Sequence, residues 1–371
     1  MIATGDDFRT VKLFRFPCPV DEAAGQKYSG HSEHVTSVGF SRNTTGQQYL
    51  ISTGGEDKSI FQWKYFADAE AAAESERLAE AGEEAQAFHE NGDDDGFGDD
   101  GDEEDGFAEA ELDEGDQRGC VDVWRGQVDA SVPDGFQMTR AMGKAPENNL
   151  TLKWAHGFRS FDTRGNLRYN KAGNVVFTTA GVGVVYDKGA RRQEFFNLHH
   201  EDIVAMALHP DGDLVATGQM AGKELNEKTQ GKINQGAKGR QALKEGKLVD
   251  VYVWKSSTRE VVAKIFGFQR RAISQLAFSP GGQKLLTIGK DDHNSVAVYD
   301  WANKAILGSS KVDPAQVFAA AWKNETEFST CGMKHCKTFT LSGSNLNGRK
   351  NSYSSAAGMI ALTSLNYVGN K

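Results

Sequence analysis

The stretch that decides the fold runs from Tyr28 to Phe66 and reads YSGHSEHVTSVGFSRNTTGQQYLISTGGEDKSIFQWKYF. Short runs of alternating apolar and polar residues are separated by turns rich in Gly, Asn and Asp. Alternation with a period of two is typical of β-strands that bury one set of side chains. The stretch therefore predicts three consecutive strands joined by turns.

The same pattern recurs along the chain as a strand of small residues, a turn with Gly, Asp or Lys, and an alternating apolar strand. Five copies begin at Ile2, Ile51, Val215, Leu286 and Phe328, and a sixth apolar strand follows Gly181. Further alternating strands precede three of these copies and begin at Val35, Ile203 and Ile273. In three pairs of successive copies the marking aromatic residues lie 49, 45 and 40 residues apart, and a WD40 blade takes ~40–45 residues. We therefore predict an all-β protein built from WD40-type β-propeller blades.

Composition agrees with an intracellular globular protein. The 371 residues include 41 Gly but only seven Pro, so the turns depend on Gly and Asn/Asp. Four scattered cysteines are too few for a disulfide framework, which indicates a reducing compartment. The N-terminus lacks the basic and apolar regions of a signal peptide, and no apolar run reaches the ~20 residues of a membrane span. We expect a cytoplasmic protein without a membrane partner.

The acidic residues are concentrated in one segment. Residues 67–118 contain 22 Asp/Glu and two Lys/Arg, which leaves 40 basic and 29 acidic residues elsewhere. A segment with so few apolar side chains cannot offset the entropy of folding, and we predict a disordered linker there. It is either a flexible spacer, which we favour, or a regulated arm that competes with a partner for the basic blades.

The best-preserved blade carries a candidate structural network of five residues. These are His31, Ser52, Thr53, Asp57 and Trp63. In WD40 blades this spacing commonly forms a hydrogen-bond chain in which the turn Asp holds the His, and the His reaches the Ser/Thr and the indole. Buried His and Trp side chains need such partners. We predict that these residues hold the blade together and take no part in catalysis.

A basic insertion interrupts the blade that begins at Val215. Residues 223–247 carry three Glu and seven basic residues, which are Lys223, Lys228, Lys232, Lys238, Arg240, Lys244 and Lys247. It is either a solvated extension of a turn, which we favour, or a basic finger that engages an acidic partner surface.

Other motifs support no catalytic or cofactor site. Cys331, His335 and Cys336 offer three ligands without the second pair that a zinc site needs, and they coincide with a turn between strands. Gly181-Val-Gly183 lacks the third Gly and the following helix of a dinucleotide site. His199-His200 occupies the Gly-His position of a blade and is expected to be structural. The aromatic residues lie in strands, so nucleic-acid binding by stacking is not favoured either.

A longer stretch resembles a known family. Leu150-TLKWAHGFRS, Val175-VFTTAGVGVVYD and Phe196-NLHHEDIVAMALHPDGDLVATGQ are similar to the hydrophobic (HELP) motif and first blades of the echinoderm microtubule-associated protein-like family, and the likeness continues to Leu341. Residues 5–64 resemble the last blades of a preceding module of the same family. The resemblance implies terminal blades of a first propeller in residues 1–66, the acidic linker in 67–118, and a HELP motif with the first blades of a second, incomplete propeller in 119–371.

The resemblance also implies a function. We expect a non-enzymatic scaffold without cofactors or metals that binds tubulin and microtubules of the cytoskeleton or of the cilium and its axoneme. The basic insertion is the candidate tubulin contact. The alternative is a WD40 adaptor that assembles other proteins through its propeller surfaces. Because the chain begins and ends within a blade, we also expect it to be a portion of a longer array.

Overall fold

The structure is a computed structural model that describes residues 1–16, 18, 23–41, 48–66, 143–221, 249–351 and 361–367. This part of the chain forms 23 β-strands and contains no helix, so none of its segments is a helix that could cross a membrane. The predicted all-β class with WD40-type blades is confirmed.

The strands form six antiparallel sheets, numbered here in chain order. Sheet 1 contains β1 (Ile2–Gly5), β2 (Val11–Phe14) and β3 (Gln26–Tyr28). Sheet 2 contains β4 (Val35–Phe40), β5 (Tyr49–Gly54), β6 (Ile60–Phe66) and β7 (Asn149–His156). Sheet 3 contains β8 (Leu167–Tyr169), β9 (Val175–Thr179), β10 (Val182–Asp187) and β11 (Arg192–Phe196).

The remaining three sheets repeat the four-stranded plan. Sheet 4 contains β12 (Ile203–Leu208), β13 (Leu214–Gln219), β14 (Val251–Lys255) and β15 (Val261–Ile265). Sheet 5 contains β16 (Ile273–Phe278), β17 (Lys284–Gly289), β18 (Val296–Asp300) and β19 (Ala305–Ser310). Sheet 6 contains β20 (Val317–Trp322), β21 (Glu327–Gly332), β22 (His335–Ser342) and β23 (Asn345–Lys350). In every sheet each strand pairs with the next one in the chain.

Apolar side chains fill the spaces between neighbouring sheets. Val11 of sheet 1, Phe61 of sheet 2 and Val182 of sheet 3 belong to one buried cluster. Three further clusters join sheets 3 and 4, 4 and 5, and 5 and 6. Each sheet thus covers the apolar faces of its neighbours, as expected of propeller blades. A fully buried residue such as Trp254 or Phe61 stabilises this arrangement by roughly 1.5–3 kcal/mol.

The predicted division of the chain at residue 119 stays a prediction, and one observed strand pairing joins residues from its two sides. Strand β7, which was assigned to the second propeller, pairs along its whole length with β6 of the first, from Ile60 opposite His156 to Phe66 opposite Asn149. The HELP segment therefore supplies the fourth strand of sheet 2. Backbone hydrogen bonds from Val35 to Asp6 (3.0 Å) and from Ile203 to Ala180 (2.9 Å) also join successive sheets. Successive sheets are thus in contact from sheet 1 to sheet 6 in the described part of the chain. The predicted linker 67–118 lies outside the described residues.

One end of the sheets carries the loops that lead from each sheet to the next. In each four-stranded sheet the turn between the second and third strands lies at this end, and in sheet 1 the β1–β2 turn does. We call this end the loop face. Its loops comprise residues 29–34, 157–166, 197–202, 266–272 and 311–316.

Candidate protein-interaction face

Four of the five residues in the predicted network meet below the loop face. Asp57 Oδ2 lies 2.9 Å from His31 Nδ1, and His31 Nε2 lies 2.8 Å from Ser52 Oγ. Trp63 Nε1 donates to the same Ser52 oxygen at 2.8 Å. Since a carboxylate only accepts, His31 carries its proton on Nδ1 and accepts from Ser52 at Nε2. This series of hydrogen bonds links the turn after β5 to the middle of β6.

The carboxylate in this network is ionised. Burial opposes ionisation, but hydrogen bonds from His31 and Ser59 outweigh it and hold the pKa of Asp57 below its ordinary value. The backbone N–H of Ser59 donates to Asp57 at 3.1 Å and the N–H of Ser32 at 3.3 Å. Thr53, the fifth predicted residue, stands apart: its Oγ1 lies 2.9 Å from Thr36 Oγ1 on the exposed side of the sheet.

Sheet 4 contains a second network that the sequence did not fully reveal. His199 Nδ1 donates to Gln219 Oε1 (2.8 Å), its Nε2 lies 2.7 Å from Thr217 Oγ1, and Trp254 Nε1 donates to Thr217 at 3.1 Å. Gln219 thus stands where sheet 2 has Asp57. Burial lowers the pKa of His199 to about 3, so the imidazole is neutral. The neutral amide of Gln219 is a suitable acceptor for the neutral imidazole of His199. In the sequence, the Gly-His-like position of His199 was the only signal for this network.

Sheet 5 retains a reduced form of the same arrangement. Gln269 takes the histidine position and donates from Nε2 to Thr287 Oγ1 at 2.9 Å. Tyr299 takes the tryptophan position. Both residues line a small pocket between sheets 4 and 5. The buried Gln269 Oε1 has no hydrogen-bond partner.

The cysteine-rich turn holds no metal-ligand cluster. Cys331 and Cys336 are buried opposite one another on β21 and β22, and both thiols are free. His335 Nδ1 lies 3.1 Å from the carbonyl oxygen of Met333. Among the described residues no group of three His, Cys, Asp or Glu side chains is placed to bind a metal ion.

The loop face carries most of the exposed apolar side chains. In the described part of the chain ten large hydrophobic side chains are exposed, and six of them lie at this end. These six are Phe8, Ile60, Phe158, Phe161, Phe266 and Met333. Exposed apolar residues concentrated on one side of a protein mark an interaction surface.

Buried ionic contacts fix the loops of this face. Arg9 of the β1–β2 turn donates to Glu201, while Ser32 and Arg159 both donate to Asp202. Burial raises the pKa of Glu201 to about 7 and that of Asp202 above its ordinary value, although the arginines favour the charged forms. Sheets 1, 2 and 4 are therefore joined at this end by partly desolvated charges.

The predicted basic residues, from Lys223 to Lys247, lie outside the described residues. The described positions next to them are informative. The insertion leaves sheet 4 after Ala221 and returns at Val249, in the turn between β13 and β14. This turn belongs to the loop face, so the insertion is attached at the same end as the six exposed apolar residues.

The six-sheet series and its His–Ser/Thr–Trp networks define a WD40-type β-propeller protein. Family models agree: a WD domain, G-beta repeat, matches residues 24–64, the HELP motif matches 145–184, and the echinoderm microtubule-associated protein first beta-propeller matches 192–371. By these matches the chain is similar to the echinoderm microtubule-associated protein-like family, whose first-propeller model matches 180 of its 371 residues.

Curated relatives support the same family. The chain is 31% identical over 231 residues to echinoderm microtubule-associated protein-like 2 of Rattus norvegicus, covering 59% of this chain and 32% of the relative. Echinoderm microtubule-associated protein-like 1 of Homo sapiens is 31% identical, with 55% and 24% covered. The 77 kDa echinoderm microtubule-associated protein of Strongylocentrotus purpuratus is 28% identical, with 54% and 27% covered. The chain thus spans between a quarter and a third of these relatives' lengths.

Similarity to solved structures is weaker. A chain of the mitotic checkpoint complex aligns with 98% of this chain and 74% of its own length, at 11% identity and a TM-score of 0.40. The RRP9 WD40 repeats align with 46% of each chain, at 16% identity and a TM-score of 0.33.

Proposed function

We propose that this chain is part of a non-enzymatic, microtubule-associated scaffold that contacts tubulin through its loop face. Similarity to the echinoderm microtubule-associated protein-like family supports this proposal, because relatives named for microtubule association match more than half of the chain. The observation that carries it is the concentration of exposed apolar side chains on the loop face. Protein partners bind such surfaces by burying a few large side chains.

Charge supplies the second part of the proposal. The insertion between Ala221 and Val249, two residues that lie at the loop face, contains seven basic and three acidic residues. We propose that these basic residues attract the acidic surface of tubulin, and that the acidic segment 67–118 is repelled by it. Cytoplasmic and axonemal microtubules are both candidate locations.

Co-sedimentation with microtubules across a salt series tests the proposal. The chain should pellet with microtubules at low ionic strength and progressively less as salt shortens the Debye length from ~10 Å at 0.1 M. A variant with all seven basic residues of the insertion replaced by Gln should pellet less and show a weaker salt dependence. Failure of the unaltered chain to pellet at any salt concentration would refute tubulin binding.

The alternative is an adaptor for another protein complex. The exposed apolar residues of the loop face favour a protein partner without specifying tubulin. Absence of microtubule binding, together with stable capture of a different defined protein that depends on the loop face, would favour the adaptor.

A further inference from the structure

The loop between β7 and β8 reaches three sheets beyond the two that it connects. It comprises Gly157–Asn166 and connects sheet 2 to sheet 3. Its side chains also contact Asp202 in the loop leading to sheet 4, Lys290 at the end of β17 in sheet 5, and Phe318 on β20 of sheet 6. A connection between adjacent blades does not need contacts that extend so far. The loop therefore runs across the loop face toward the far side of the blade series.

A buried arginine anchors this loop. Arg159 donates to both carboxylate oxygens of Asp162, at 2.6 and 2.9 Å, and also to Asp202. Only 9% of its side chain is exposed. Asn166, itself buried, donates to the Arg159 carbonyl oxygen at 2.8 Å, and Lys290 lies 3.6 Å from Asp162. Bidentate arginine–carboxylate pairs fix geometry strongly, so the loop is held in one shape.

The entry to the loop requires a glycine. Gly157 has a φ of +140°, and a Cβ there would lie 2.6 Å from Thr179 Oγ1 and 3.1 Å from the Lys58 carbonyl oxygen. The backbone therefore passes closely between sheets 2 and 3 before it turns over the loop face. The far end of the loop is fixed in a different way, since the Arg164 guanidinium lies 4.8 Å from the ring centre of Phe318.

This anchored loop holds two aromatic side chains in solvent. Phe161 is 60% exposed and Phe158 is 48% exposed. Lys58 Nζ lies 4.0 Å and Arg159 Cζ lies 4.6 Å from the centre of the Phe161 ring, and the Phe158 ring packs 6.5 Å from that of Phe177. The two rings are exposed although their backbone is fixed. Such pre-organised aromatic residues lose little entropy on binding.

The charge around these rings is positive. The acidic groups of this region are engaged: Asp162 pairs with Arg159 and Lys290, and Asp202 with Arg159. Lys58 and Arg164 instead contact aromatic rings, and within the described residues neither has a carboxylate at ion-pair distance. An acidic partner surface is therefore complementary to the loop.

We infer that Gly157–Asn166 is the partner-recognition element of the loop face, with Phe158 and Phe161 as its anchors. Its partner is a protein surface that presents an apolar pocket bordered by carboxylates. This inference rests on the proposed function, under which that partner is the tubulin surface of the microtubule. Lys58 and Arg164 supply the attraction, and the two rings supply the buried contact.

The test compares two double variants of the full chain in microtubule co-sedimentation. Phe158→Ala/Phe161→Ala removes both anchors from the loop face. Phe16→Ala/Ile306→Ala removes two side chains that are 71% and 47% exposed at the opposite end of the sheets. Aromatic residues at the centre of an interface usually contribute most of its binding energy. We therefore expect the first variant to bind microtubules at least tenfold more weakly than the unaltered chain. The second should bind within twofold of the unaltered chain. Thermal unfolding should be unchanged in both.

The outcomes separate this inference from the proposed function. If the unaltered chain does not bind microtubules, the proposed function fails. If it binds and the Phe158/Phe161 variant binds equally well, the inference is overturned while the proposed function stands. Equal losses in both double variants would also overturn it, because the effect would then not be specific to the loop. Lys58→Gln/Arg164→Gln should weaken the salt dependence of binding, and an unchanged salt dependence would contradict the assigned role of the two cations.

Discussion

Replacing His31 by Ala should destabilise sheet 2 strongly. The change removes the imidazole that donates to the buried Asp57 carboxylate at 2.9 Å and accepts from Ser52. A hydrogen bond to a charged group contributes about 1.5–3 kcal/mol. The ring also stacks on Phe61 at 4.3 Å, which adds about 0.5–1.5 kcal/mol. Since the N–H groups of Ser32 and Ser59 still satisfy part of Asp57, we expect a total loss of about 2–4 kcal/mol.

Urea unfolding followed by tryptophan fluorescence measures this loss, because Trp63 and Trp154 both lie in sheet 2. Thr53→Ala is the matched control, since Thr53 neighbours Ser52 but its hydroxyl bonds to Thr36 on the exposed side of the sheet. The control should change the free energy of unfolding by less than about 0.5 kcal/mol. If His31→Ala behaved like the control, the network would not stabilise the blade.

The same network predicts a dependence on pH. The pKa of Asp57 is depressed in the folded protein, so its stabilising contribution is present above the unfolded-state pKa and is lost as the pH falls through the folded value. Asp57→Asn should therefore be less stable than the unaltered chain at pH 6. The difference should diminish in acid below about pH 4. A constant difference over that range would contradict this role of the carboxylate.

Three further changes have definite expected results. Tyr299→Trp places an indole beside the Thr287 hydroxyl, as Trp254 is placed beside that of Thr217. This change should raise the free energy of unfolding by about 1 kcal/mol, whereas the control Tyr299→Phe should not. Because the pKa of Glu201 is raised to about 7 in the folded protein, the stability that its protonated form contributes is lost as the pH rises from about 4.5 through 7. Glu201→Gln should therefore flatten the pH dependence of the melting temperature over this range. Lys264→Met leaves the buried Asp250 carboxylate, 3.1 Å from the lysine, without its partner and should cost about 3–5 kcal/mol in urea unfolding.

The blades could be predicted because their signal is local. The alternation in Val35–Phe40 and Ile273–Phe278, with polar turns between strands, specifies strand and turn within a few residues. His31 and Asp57 could be recognised because titratable side chains are unusual at buried positions, and Trp63 because its spacing from them is that of a repeat. The Gln219 and Gln269 variants of the network carry no comparable signal, because an amide is equally common in an exposed turn.

The position of β7 could not be predicted from local pattern. Phe66 and Asn149 are separated by the long acidic segment, yet they are paired in sheet 2. A strand that alternates apolar and polar residues is compatible with either neighbouring sheet, and only the three-dimensional packing selects one. The contacts of Arg159 and Arg164 depend on that choice, so the role of the loop that follows β7 was equally hidden.

The pairing of β7 with β6 is the contact on which the single series of blades and the loop across its face depend. Disulfide cross-linking tests this pairing. Ile60 and His156, which face one another, are both replaced by Cys, while Cys18 and Cys120 are replaced by Ser. A protease site is inserted within residues 67–118 so that the chain can be cut between the two new cysteines. After oxidation and cleavage, the two fragments should stay joined on a non-reducing gel. Cysteines at Ile60 and Thr151 should not join them, because Thr151 is paired with Lys64, ~13 Å further along the strand. Separation of the fragments with the Ile60–His156 pair, or equal cross-linking by both pairs, would contradict the observed sheet.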